Sequence, residues 1–339
     1  MTEAHAPGKL VVSGEYAVLG GAPAIAVAMD ARARAQVHPA DGICRLSVAG
    51  DGCWSFTWRD GLPQWREPPP AGQGLILEAV AATLGEVGSP QSAALEISLD
   101  TRAFQIAEAG QRTIKLGLGS SAALTVALTA ALRAHAGGTV DRVDLFGICA
   151  RAHRRFQHGA GSGLDVAAAV HGGVVQLAGA GGAVRHHPWP DGLAWLAIWS
   201  GESASTPDLL RRYEAFRQAE PLRFGRHDAG MRAIAAAVAR AWERQELATL
   251  LRALADYDDA LRSLDAGAGL GIYTPAHERL ARLAALEGAV YKVSGAGGGD
   301  FGIAFADSPL VISRIAAALA REHVLTLPGN AIAAGVTVD

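Results

Sequence analysis

The strongest chemical signal in the sequence is a glycine- and serine-rich segment that leads into an alanine-rich stretch. It reads Lys115-Leu116-Gly117-Leu118-Gly119-Ser120-Ser121-Ala122-Ala123. Glycine lets the backbone approach an anion closely, and the first turn of a helix offers free N–H groups and the positive end of its dipole. Two adjacent hydroxyls, those of Ser120 and Ser121, can bind a phosphate oxygen or Mg²⁺. The spacing matches neither Gly-x-Gly-x-x-Gly nor Gly-x₄-Gly-Lys-Ser/Thr, so neither a Rossmann nor a Walker site is predicted.

A second glycine-rich segment follows a predicted strand in the last quarter of the chain. It reads Lys292-Val293-Ser294-Gly295-Ala296-Gly297-Gly298-Gly299-Asp300. Glycine in an ordered element costs about 0.5–1 kcal/mol relative to alanine, so packing alone does not explain this many glycines. We interpret the segment as a tight loop whose N–H groups face a ligand anion. Asp300 is equally compatible with stabilising the loop and with binding a ligand.

The third segment lies near the N-terminus, where a lysine is predicted to open a strand that ends in a polar turn. It reads Pro7-Gly8-Lys9-Leu10-Val11-Val12-Ser13-Gly14-Glu15-Tyr16-Ala17-Val18-Leu19. The chain has 30 Lys+Arg, but only Lys9, Lys115 and Lys292 are lysine, and each lies within or beside a glycine-rich segment. A compact ammonium reaches into a phosphate pocket in a way that a planar guanidinium does not. The lysine distribution therefore favours phosphate binding at the three segments, with chance as the alternative in so small a sample.

The elements around these segments are helices and strands in both halves of the chain, without a regular βαβ alternation or a repeat. Strands are predicted at Leu10–Val12, Ala24–Ala28, Ala31–Val37, Ala93–Leu99, Gly173–Leu177, Trp195–Trp199, Val290–Val293, Gly302–Phe305, Val324–Leu327 and Ala334–Val338. Helices are predicted at 75–86, 120–136, 141–158, Ser162–Val170, Asp208–Gln218, Asp228–Arg244, Glu246–Leu264, His277–Leu286 and Pro309–Arg321. The Pro- and Gly-containing stretch 186–192 suggests a domain boundary near residue 190.

Composition argues against several classes of protein. The net charge of −3 gives no support to a nucleic-acid or polyanion binder. The three cysteines form no Cys-x-x-Cys pair, which is typical of free thiols in a reducing compartment. No uninterrupted apolar stretch reaches the ~20 residues that span a bilayer, and the first residues do not resemble a signal peptide. We expect a soluble cytoplasmic protein with a small-molecule ligand and no nucleic-acid or membrane partner, and the oligomeric state stays open.

Taken in order, the three segments resemble the signature motifs of the GHMP kinases. A fourth match, where that family places its active-site aspartate, is Gly161-Ser162-Gly163-Leu164-Asp165-Val166-Ala167-Ala168. The resemblance implies a small-molecule kinase that uses ATP and Mg²⁺. It also implies an α+β, two-domain GHMP kinase fold with the active site in the cleft between the domains. These would be a ribosomal protein S5 domain 2-like ATP-binding domain at residues 1–190 and a ferredoxin-like α+β domain at residues 191–339.

Within the family, the motifs are similar to those of phosphomevalonate kinases. Mevalonate kinases typically carry Gly-Glu-His in the first motif, whereas this chain has Gly14-Glu15-Tyr16, and Asp300 stands where they usually have a fourth glycine. Lys115, two residues before Gly117, and the segment 203–206, Ser-Ala-Ser-Thr, agree with the same branch. This implies transfer of a phosphoryl group from ATP to the phosphate of 5-phosphomevalonate. Phe301 and Ala122 depart from the pattern and leave room for a different small acid.

The resemblance also implies a role for individual residues. Lys9 and Lys115 would neutralise charge in the transition state, and Asp165 would hold Lys9 in place. The nucleotide would lie on Gly117, Leu118, Gly119, Ser120, Ser121 and Ala122, with Ser121 as the Mg²⁺ ligand. The acceptor would contact Tyr16, Arg155, Ser162, Ser294, Gly295, Ala296 and Gly297. Mevalonate kinases have a metal-binding glutamate 11 residues before the aspartate, but this chain has Arg154 there, so the carboxylate ligand is not identified.

Three alternatives remain open at the level of sequence. A basic cluster could line the acceptor pocket or form the solvated face of a helix; its members are Arg151, His153, Arg154, Arg155 and His158. A mevalonate-type kinase would phosphorylate a hydroxyl, with Asp165 as general base. A GHMP-like sensor would bind the ligand without turnover.

Overall fold

The computed structural model describes residues 1–60, 62–67, 74–87, 94–107, 113–157, 159, 161–329 and 332–339. The helices are α1 (Gly74–Val87), α2 (Ser120–His135), α3 (Arg142–Phe156), α4 (Leu164–His171), α5 (Thr206–Ala219), α6 (Pro221–Glu243), α7 (Leu247–Ala268), α8 (Pro275–Leu286) and α9 (Pro309–Arg321). Two short 3₁₀ turns lie at Ala17–Gly20 and Arg102–Phe104. The strands are β1 (Thr2–Ser13), β2 (Pro23–Ala40), β3 (Cys44–Val48), β4 (Gly52–Arg59), β5 (Leu62–Trp65), β6 (Ala94–Asp100), β7 (Gln105–Ala107), β8 (Thr113–Lys115), β9 (Val174–Ala178), β10 (Val184–His187), β11 (Ala194–Trp199), β12 (Val290–Val293), β13 (Phe301–Ala306), β14 (Thr326–Pro328) and β15 (Thr337–Val338).

The first sheet has the strand order β10-β9-β2-β6-β3-β4-β5, and β1 pairs with both β2 and β15. Its inner face is apolar because alternate residues of β2, such as Ala33, Ala35 and Val37, point inward and are fully buried. Helix α2 packs against β1 and β2 and is buried along most of its length. Its many alanines leave little volume between helix and sheet, which brings the start of α2 close to β1.

The second sheet, β12-β13-β11-β14, is antiparallel. Helices α8 and α9 cover one face through a compact apolar cluster that includes Leu280, Ala284, Ile315 and Leu319. The long helices α6 and α7 pack against each other, and α7 also contacts β12. The turn between β12 and β13 holds the third motif, so this sheet determines where the motif lies.

The predicted helices are present, with ends that differ by a few residues, and most predicted strands are found. The short strand β10 and the ribbon β7–β8 were not predicted. Ala93, the predicted start of one strand, lies outside the described residues. The described part of the chain contains no helix that is long and apolar enough to cross a membrane.

The prediction that Lys9 opens its strand is wrong, because β1 already begins at Thr2. Residues 2–7 pair antiparallel with β2, and Ala4 and His5 also pair with β15 on the other side. A register shift at Pro7/Gly8 interrupts the alternation of side chains, which hides the strand from a pattern search.

The last described residues return to the first sheet. In addition to the pairing of β15, isolated bridges join Met29 to Ile332 and Gly172 to Ala334. The division at residue 190 stays a prediction, but a second domain that ran from residue 191 to residue 339 would include a final strand that belongs to the first sheet.

Candidate active site

Lys9 and Asp165 lie together, as the sequence predicted. Lys9 Nζ is 3.6 Å from Asp165 Oδ1, and the Asp165 side chain is 34% exposed. Strand β1 brings Lys9 to the second motif, because the backbone N–H of Lys9 donates to the carbonyl of Leu118 at 2.8 Å. The lysine side chain then crosses Gly119, where a Cβ would lie only 3.2 Å from Lys9 Cγ and Cε. Any larger residue in place of Gly119 would crowd the Lys9 side chain.

The second motif forms the start of a helix, as predicted. Gly119 occupies the N-cap of α2 with φ 79°, a left-handed conformation that suits glycine. No side chain caps this helix end, so the first N–H groups have no intrahelical partner and can bind an anion. Ser120 is buried, whereas Ser121 in the same turn is partly exposed.

Asp300 closes the second motif from the other half of the molecule. Its carboxylate lies directly over Gly117, where a Cβ would fall 2.1 Å from the Asp300 carboxyl carbon. The Ala204 N–H donates to Asp300 Oδ1 at 3.3 Å, and Ser203 Oγ donates to the Lys115 carbonyl at 3.1 Å. Asp300 therefore stabilises the contact between the third motif and the second.

The charges around Asp300 influence one another. Burial raises the pKa of the Asp300 carboxyl, and the nearby ammoniums of Lys9 and Lys115 oppose this change. The Lys115 side chain reaches solvent at the edge of the cleft. Crowding by surrounding protein atoms nevertheless lowers its pKa, and Asp300 opposes this. Two lysines and one carboxylate thus meet beside the start of α2.

The third motif is a tight turn between β12 and β13, but most of its glycines serve packing. A Cβ on Gly297 would lie 2.5 Å from Ile272, and one on Gly298 would lie 3.0 Å from Leu209. At Gly299 a Cβ would lie 2.8 Å from the Glu202 carbonyl oxygen. The Gly298 N–H donates to the Ile272 carbonyl at 2.8 Å, so the interpretation that these glycines all present N–H groups to an anion is wrong for Gly298. For Gly297 and Gly299 it stays a prediction. Gly295 lies close to the Lys9 ammonium, with a Cβ position 3.9 Å from Nζ.

Ser294 and Tyr16 each make a hydrogen bond that joins the third motif to the first. Ser294 Oγ accepts from the Val11 N–H at 2.8 Å, and both groups are buried. Tyr16 OH donates to the Ala296 carbonyl at 2.6 Å, and Tyr16 itself has a positive φ of 59°. The Ser294 hydroxyl thus holds the two motifs together, which the sequence did not reveal.

Lys292 lies in the interior and not at the second motif. It pairs with Glu15 in a fully buried ion pair and donates to the Val293 carbonyl at 2.6 Å. Burial raises the pKa of the Glu15 carboxyl, and the Lys292 ammonium opposes this. Tyr257 OH donates to the Glu15 carbonyl at 2.6 Å. The suggestion that all three lysines bind phosphate therefore fails for Lys292, whose charge is already used by a partner.

A cavity of about 110 Å³ lies beside the Lys9–Asp165 pair. Five of the predicted site residues line it: Tyr16, Ser162, Asp165, Gly295 and Ala296. Its walls also include Val18, Leu19, His153, Gln157, Thr206 and Leu210. The mixture of apolar and polar groups suits a small organic ligand. A larger depression near Arg34 and Cys53 lies on the outer face of the first sheet, away from these motifs.

The structure divides the basic cluster of α3 into groups with different surroundings. Arg151 and Arg155 lie 2.9 and 3.0 Å from the two carboxylate oxygens of Glu86 and are largely exposed. Arg155, predicted to contact the acceptor, thus lies against α1 and is not among the residues that line the cavity. His158 lies outside the described residues.

The other two members lie nearer the cavity. His153 is buried, and its Nε2 is 3.1 Å from Ser121 Oγ. A Cβ on Gly181 would lie 3.2 Å from Nη2 of Arg154. Sequence analysis included both residues in the cluster but did not identify either contact.

The residues present are compatible with Mg²⁺ bound mainly through a nucleotide. Within the described ranges, no group of three or more His, Cys, Asp or Glu residues forms a metal site. The partly exposed carboxylate of Asp165 lies near Gly119, with Oδ2 3.7 Å from the position of a Cβ there, and Ser121 follows Gly119 by two residues. Such a sparse oxygen donor set suits an ion that keeps most of its ligands from phosphates and water.

Comparison with known proteins gives a consistent result. The family profile "GHMP kinases N terminal domain" matches residues 75–173. The phosphomevalonate kinase of Streptomyces sp. (strain CL190) is 34% identical over 345 residues, which cover 90% of this chain and 89% of that protein.

Solved structures agree with this on the fold. A Lin0012 protein from Listeria innocua superimposes with a TM-score of 0.84 at 23% identity, over 100% of this chain and 99% of that one. The Streptococcus pneumoniae phosphomevalonate kinase in complex with phosphomevalonate and AMPPNP gives a TM-score of 0.75 at 21% identity, over 97% and 100% of the two chains. With its α+β GHMP kinase fold, the chain belongs to the GHMP kinases, a family of ATP-dependent phosphotransferases, and within them it is similar to phosphomevalonate kinases.

Proposed function

We propose that the protein transfers the γ-phosphoryl group of ATP to the phosphate of 5-phosphomevalonate, which gives 5-diphosphomevalonate and ADP. The observation that carries the proposal is the position of Lys9, which lies beside Asp165 and against the uncapped start of α2, next to a cavity. Lys115 opens the same motif, and both lysines interact electrostatically with Asp300. The similarity to a phosphomevalonate kinase along 90% of the chain supports this choice of acceptor.

The acceptor is already an anion, which changes what the site must supply. The second pKa of a phosphomonoester is about 6, so its oxygen is largely ionised at neutral pH and needs no strong base. Two unit charges ~4 Å apart repel by about 4 kcal/mol at an effective dielectric constant of ~20. Lys9, Lys115 and the helix start offset this repulsion.

The bonds of the reaction balance without a proton transfer. An oxygen of the dianionic acceptor phosphate forms a bond to the γ-phosphorus of ATP. The bond from that phosphorus to the β–γ bridging oxygen breaks, and its electron pair leaves on ADP. Lys9 and Lys115 neutralise the oxygens that carry this charge in the transition state, and Asp165 keeps Lys9 in position.

The nucleotide phosphates lie on Gly117–Ala122 in this proposal. The close approach of Lys9 to Gly119 keeps that part of the loop free of side chains. A bound Mg²⁺ would neutralise charge on the β- and γ-phosphates. The contribution of this chain to holding the ion is the Ser121 hydroxyl.

The acceptor occupies the cavity, against Tyr16, Ser162, Gly295 and Ala296. Ser294 and Gly297 shape the wall indirectly, because Ser294 is bonded to Val11 and Gly297 packs on Ile272. Contact of Arg155 with the acceptor stays a prediction that would require its release from Glu86.

Arg154 is better placed to meet an anionic end of the acceptor. It lies against Gly181, whose N–H donates to the Ser162 carbonyl, and the neighbouring Ala180 N–H donates to the Val18 carbonyl. Ser162 and Val18 both line the cavity, so Arg154 stands at its rim. No ion pair occupies Arg154 within the described part of the chain.

A cytoplasmic location is part of the same proposal. Cys44, Cys53 and Cys149 are free thiols, which suits a reducing compartment where ATP is abundant.

The test is ADP formation by the purified protein with ATP and Mg²⁺, with mevalonate and 5-phosphomevalonate compared at equal concentration. We expect turnover with the phosphorylated acid and a diphosphate signal in the ³¹P NMR spectrum of the product. Turnover with mevalonate alone would contradict the proposal in favour of hydroxyl phosphorylation, with Asp165 as base. Binding of either acid without ADP formation would contradict it in favour of a sensor.

A further inference from the structure

His153 connects the nucleotide loop to the acceptor cavity. Its Nε2 is 3.1 Å from Oγ of Ser121, which lies in the first turn of α2. The ring also lines the acceptor cavity, together with Gln157 one helical turn later on α3. His153 is 4% exposed, so a single buried side chain touches both halves of the proposed site.

The surroundings argue that this histidine does more than fill space. The charged groups that act on its ring electrostatically are Asp165, Lys9 and Lys115. The two lysines are proposed to neutralise the phosphates, and Asp165 is proposed to hold Lys9. Its apolar contact is with Phe156 on its own helix, at 5.8 Å between ring centroids. Packing alone would be satisfied by an apolar residue, and burying a polar group is costly unless it has a partner.

The partner atom limits what the Ser121 hydroxyl can do. A hydroxyl has one hydrogen to donate and two lone pairs to offer. If the hydrogen points to Nε2, both lone pairs remain for an electropositive ligand on the nucleotide side. If the hydrogen turns away, one lone pair is used by the ring and the hydroxyl acts as a donor to phosphate.

We propose that His153 is a positioning residue for phosphoryl transfer. Its Nε2 accepts the hydrogen of the Ser121 hydroxyl, so that the oxygen presents its lone pairs to the Mg²⁺ of the bound nucleotide. This inference rests on the proposed function and assigns a role to a residue that the GHMP motifs of this chain do not include.

The experiment measures the Kd of Mg·ATP by isothermal titration calorimetry without acceptor. The proteins are the unsubstituted chain, His153→Leu, Ser121→Ala and the double variant. Loss of one hydrogen bond to a metal-bound hydroxyl should weaken Mg·ATP binding about tenfold in His153→Leu and in Ser121→Ala. The double variant should bind within about twofold of Ser121→Ala, because the two residues act through one contact. With EDTA and metal-free ATP, His153→Leu should differ from the unsubstituted chain by less than about threefold.

Two further variants exclude a purely structural role. His153→Gln can place its amide oxygen near the position of Nε2 and should bind Mg·ATP within about threefold of the unsubstituted chain. His171→Leu is the matched control, since His171 ends α4 and its ring packs on Phe146 and His186 outside the cavity. It should leave the Kd unchanged. If His153→Leu does not fold, as judged by thermal unfolding, His153→Asn replaces it, because its shorter side chain does not reach Ser121.

Several results would overturn the inference. One such result is a Kd of Mg·ATP for His153→Leu equal to that of the unsubstituted chain. Another is a fold-increase in Kd for the double variant that equals the product of the increases in the two single variants. An equal loss for metal-free ATP, or a His153→Gln variant as weak as His153→Leu, would also contradict it. These outcomes can be distinguished from failure of the proposed function. If the proposed function fails, the unsubstituted chain binds Mg·ATP but does not turn over 5-phosphomevalonate. An unsubstituted chain that does not bind Mg·ATP would overturn both.

Discussion

Two lysine–carboxylate pairs join the motifs of this molecule, and they differ in their access to water. Lys9 and Asp165 are 3.6 Å apart, with 34% of the Asp165 side chain exposed. The side chains of Lys292 and Glu15 are 0% and 2% exposed. A pair that water reaches can share its cation with an incoming phosphate, whereas a fully buried pair keeps its own partner. A lysine in a glycine-rich motif is therefore evidence for phosphate binding only if a buried carboxylate does not already neutralise it.

The largest expected effect on catalysis comes from the partly exposed pair, Lys9 and Asp165. Lys9→Met should lower kcat for 5-phosphomevalonate by about 10³, because an ammonium that neutralises transition-state charge is lost. The midpoint of thermal unfolding should move by only a few degrees. ADP release and differential scanning fluorimetry measure the two quantities. A kcat within tenfold of the unsubstituted value would show that Lys9 is not a catalytic residue.

For the buried pair, Lys292 and Glu15, the expected effect is a loss of stability. Lys292→Met leaves the Glu15 carboxylate buried without its cation, and we expect a loss of about 3–5 kcal/mol in the free energy of unfolding. Urea denaturation gives the value. The double variant Glu15→Gln/Lys292→Met should recover at least half of this loss, since neither charge remains. Recovery of nothing would mean that the methionine itself disturbs the core.

Asp165→Asn allows the kcat losses of the two members of the Lys9–Asp165 pair to be compared. If the acceptor phosphate is already ionised, Asp165 only holds Lys9, and kcat should fall about tenfold, which is less than for Lys9→Met. A general base would be worth about 10²–10⁴. A kcat loss for Asp165→Asn that equals or exceeds that of Lys9→Met would therefore contradict phosphate as the acceptor group.

The smallest expected effect concerns two arginines of α3. Arg151 is paired with Glu86, whereas Arg154 has no ion pair within the described residues. Arg154→Ala should raise KM for 5-phosphomevalonate about five- to tenfold with little change in kcat, because a charge-assisted contact at the rim is lost. Arg151→Ala is the control, as its guanidinium is already held by Glu86. Steady-state kinetics with both variants decides the matter, and equal KM values for the two would remove Arg154 from the acceptor site.

The local chemistry of the site could be predicted from the sequence. Each motif is a short run in which glycine, serine and lysine have a clear physical use. The start of α2 at Ser120 and the pairing of Lys9 with Asp165 followed from those runs and from the family resemblance. The helices were predictable for the same reason, since their hydrophobic spacing is local.

The rest depends on contacts between residues far apart in the chain. Glu15 meets Lys292 across a separation of 277 positions, and no local pattern identifies that partner. Gly298 was interpreted as an anion ligand because the sequence does not show that its N–H bonds to Ile272. The crowding of Gly297–Gly299 by Ile272, Leu209 and Glu202 is equally non-local. His153 was placed among basic residues of a helix, but only the fold shows that its ring contacts the Ser121 hydroxyl.

The pairing of β15 with β1 affects how the protein can fold during synthesis. Strand β1 carries Lys9 and leaves the ribosome more than 300 residues before its edge partner Thr337–Val338 and the bridging residue Ile332. At ~5–20 residues per second, the interval is on the order of tens of seconds. Throughout that interval the edge of β1 at Ala4 and His5 lacks its native neighbour, so a nascent chain exposes an unpaired strand edge. The order of translation thus completes the sheet that carries Lys9 only after the second half of the molecule has been made.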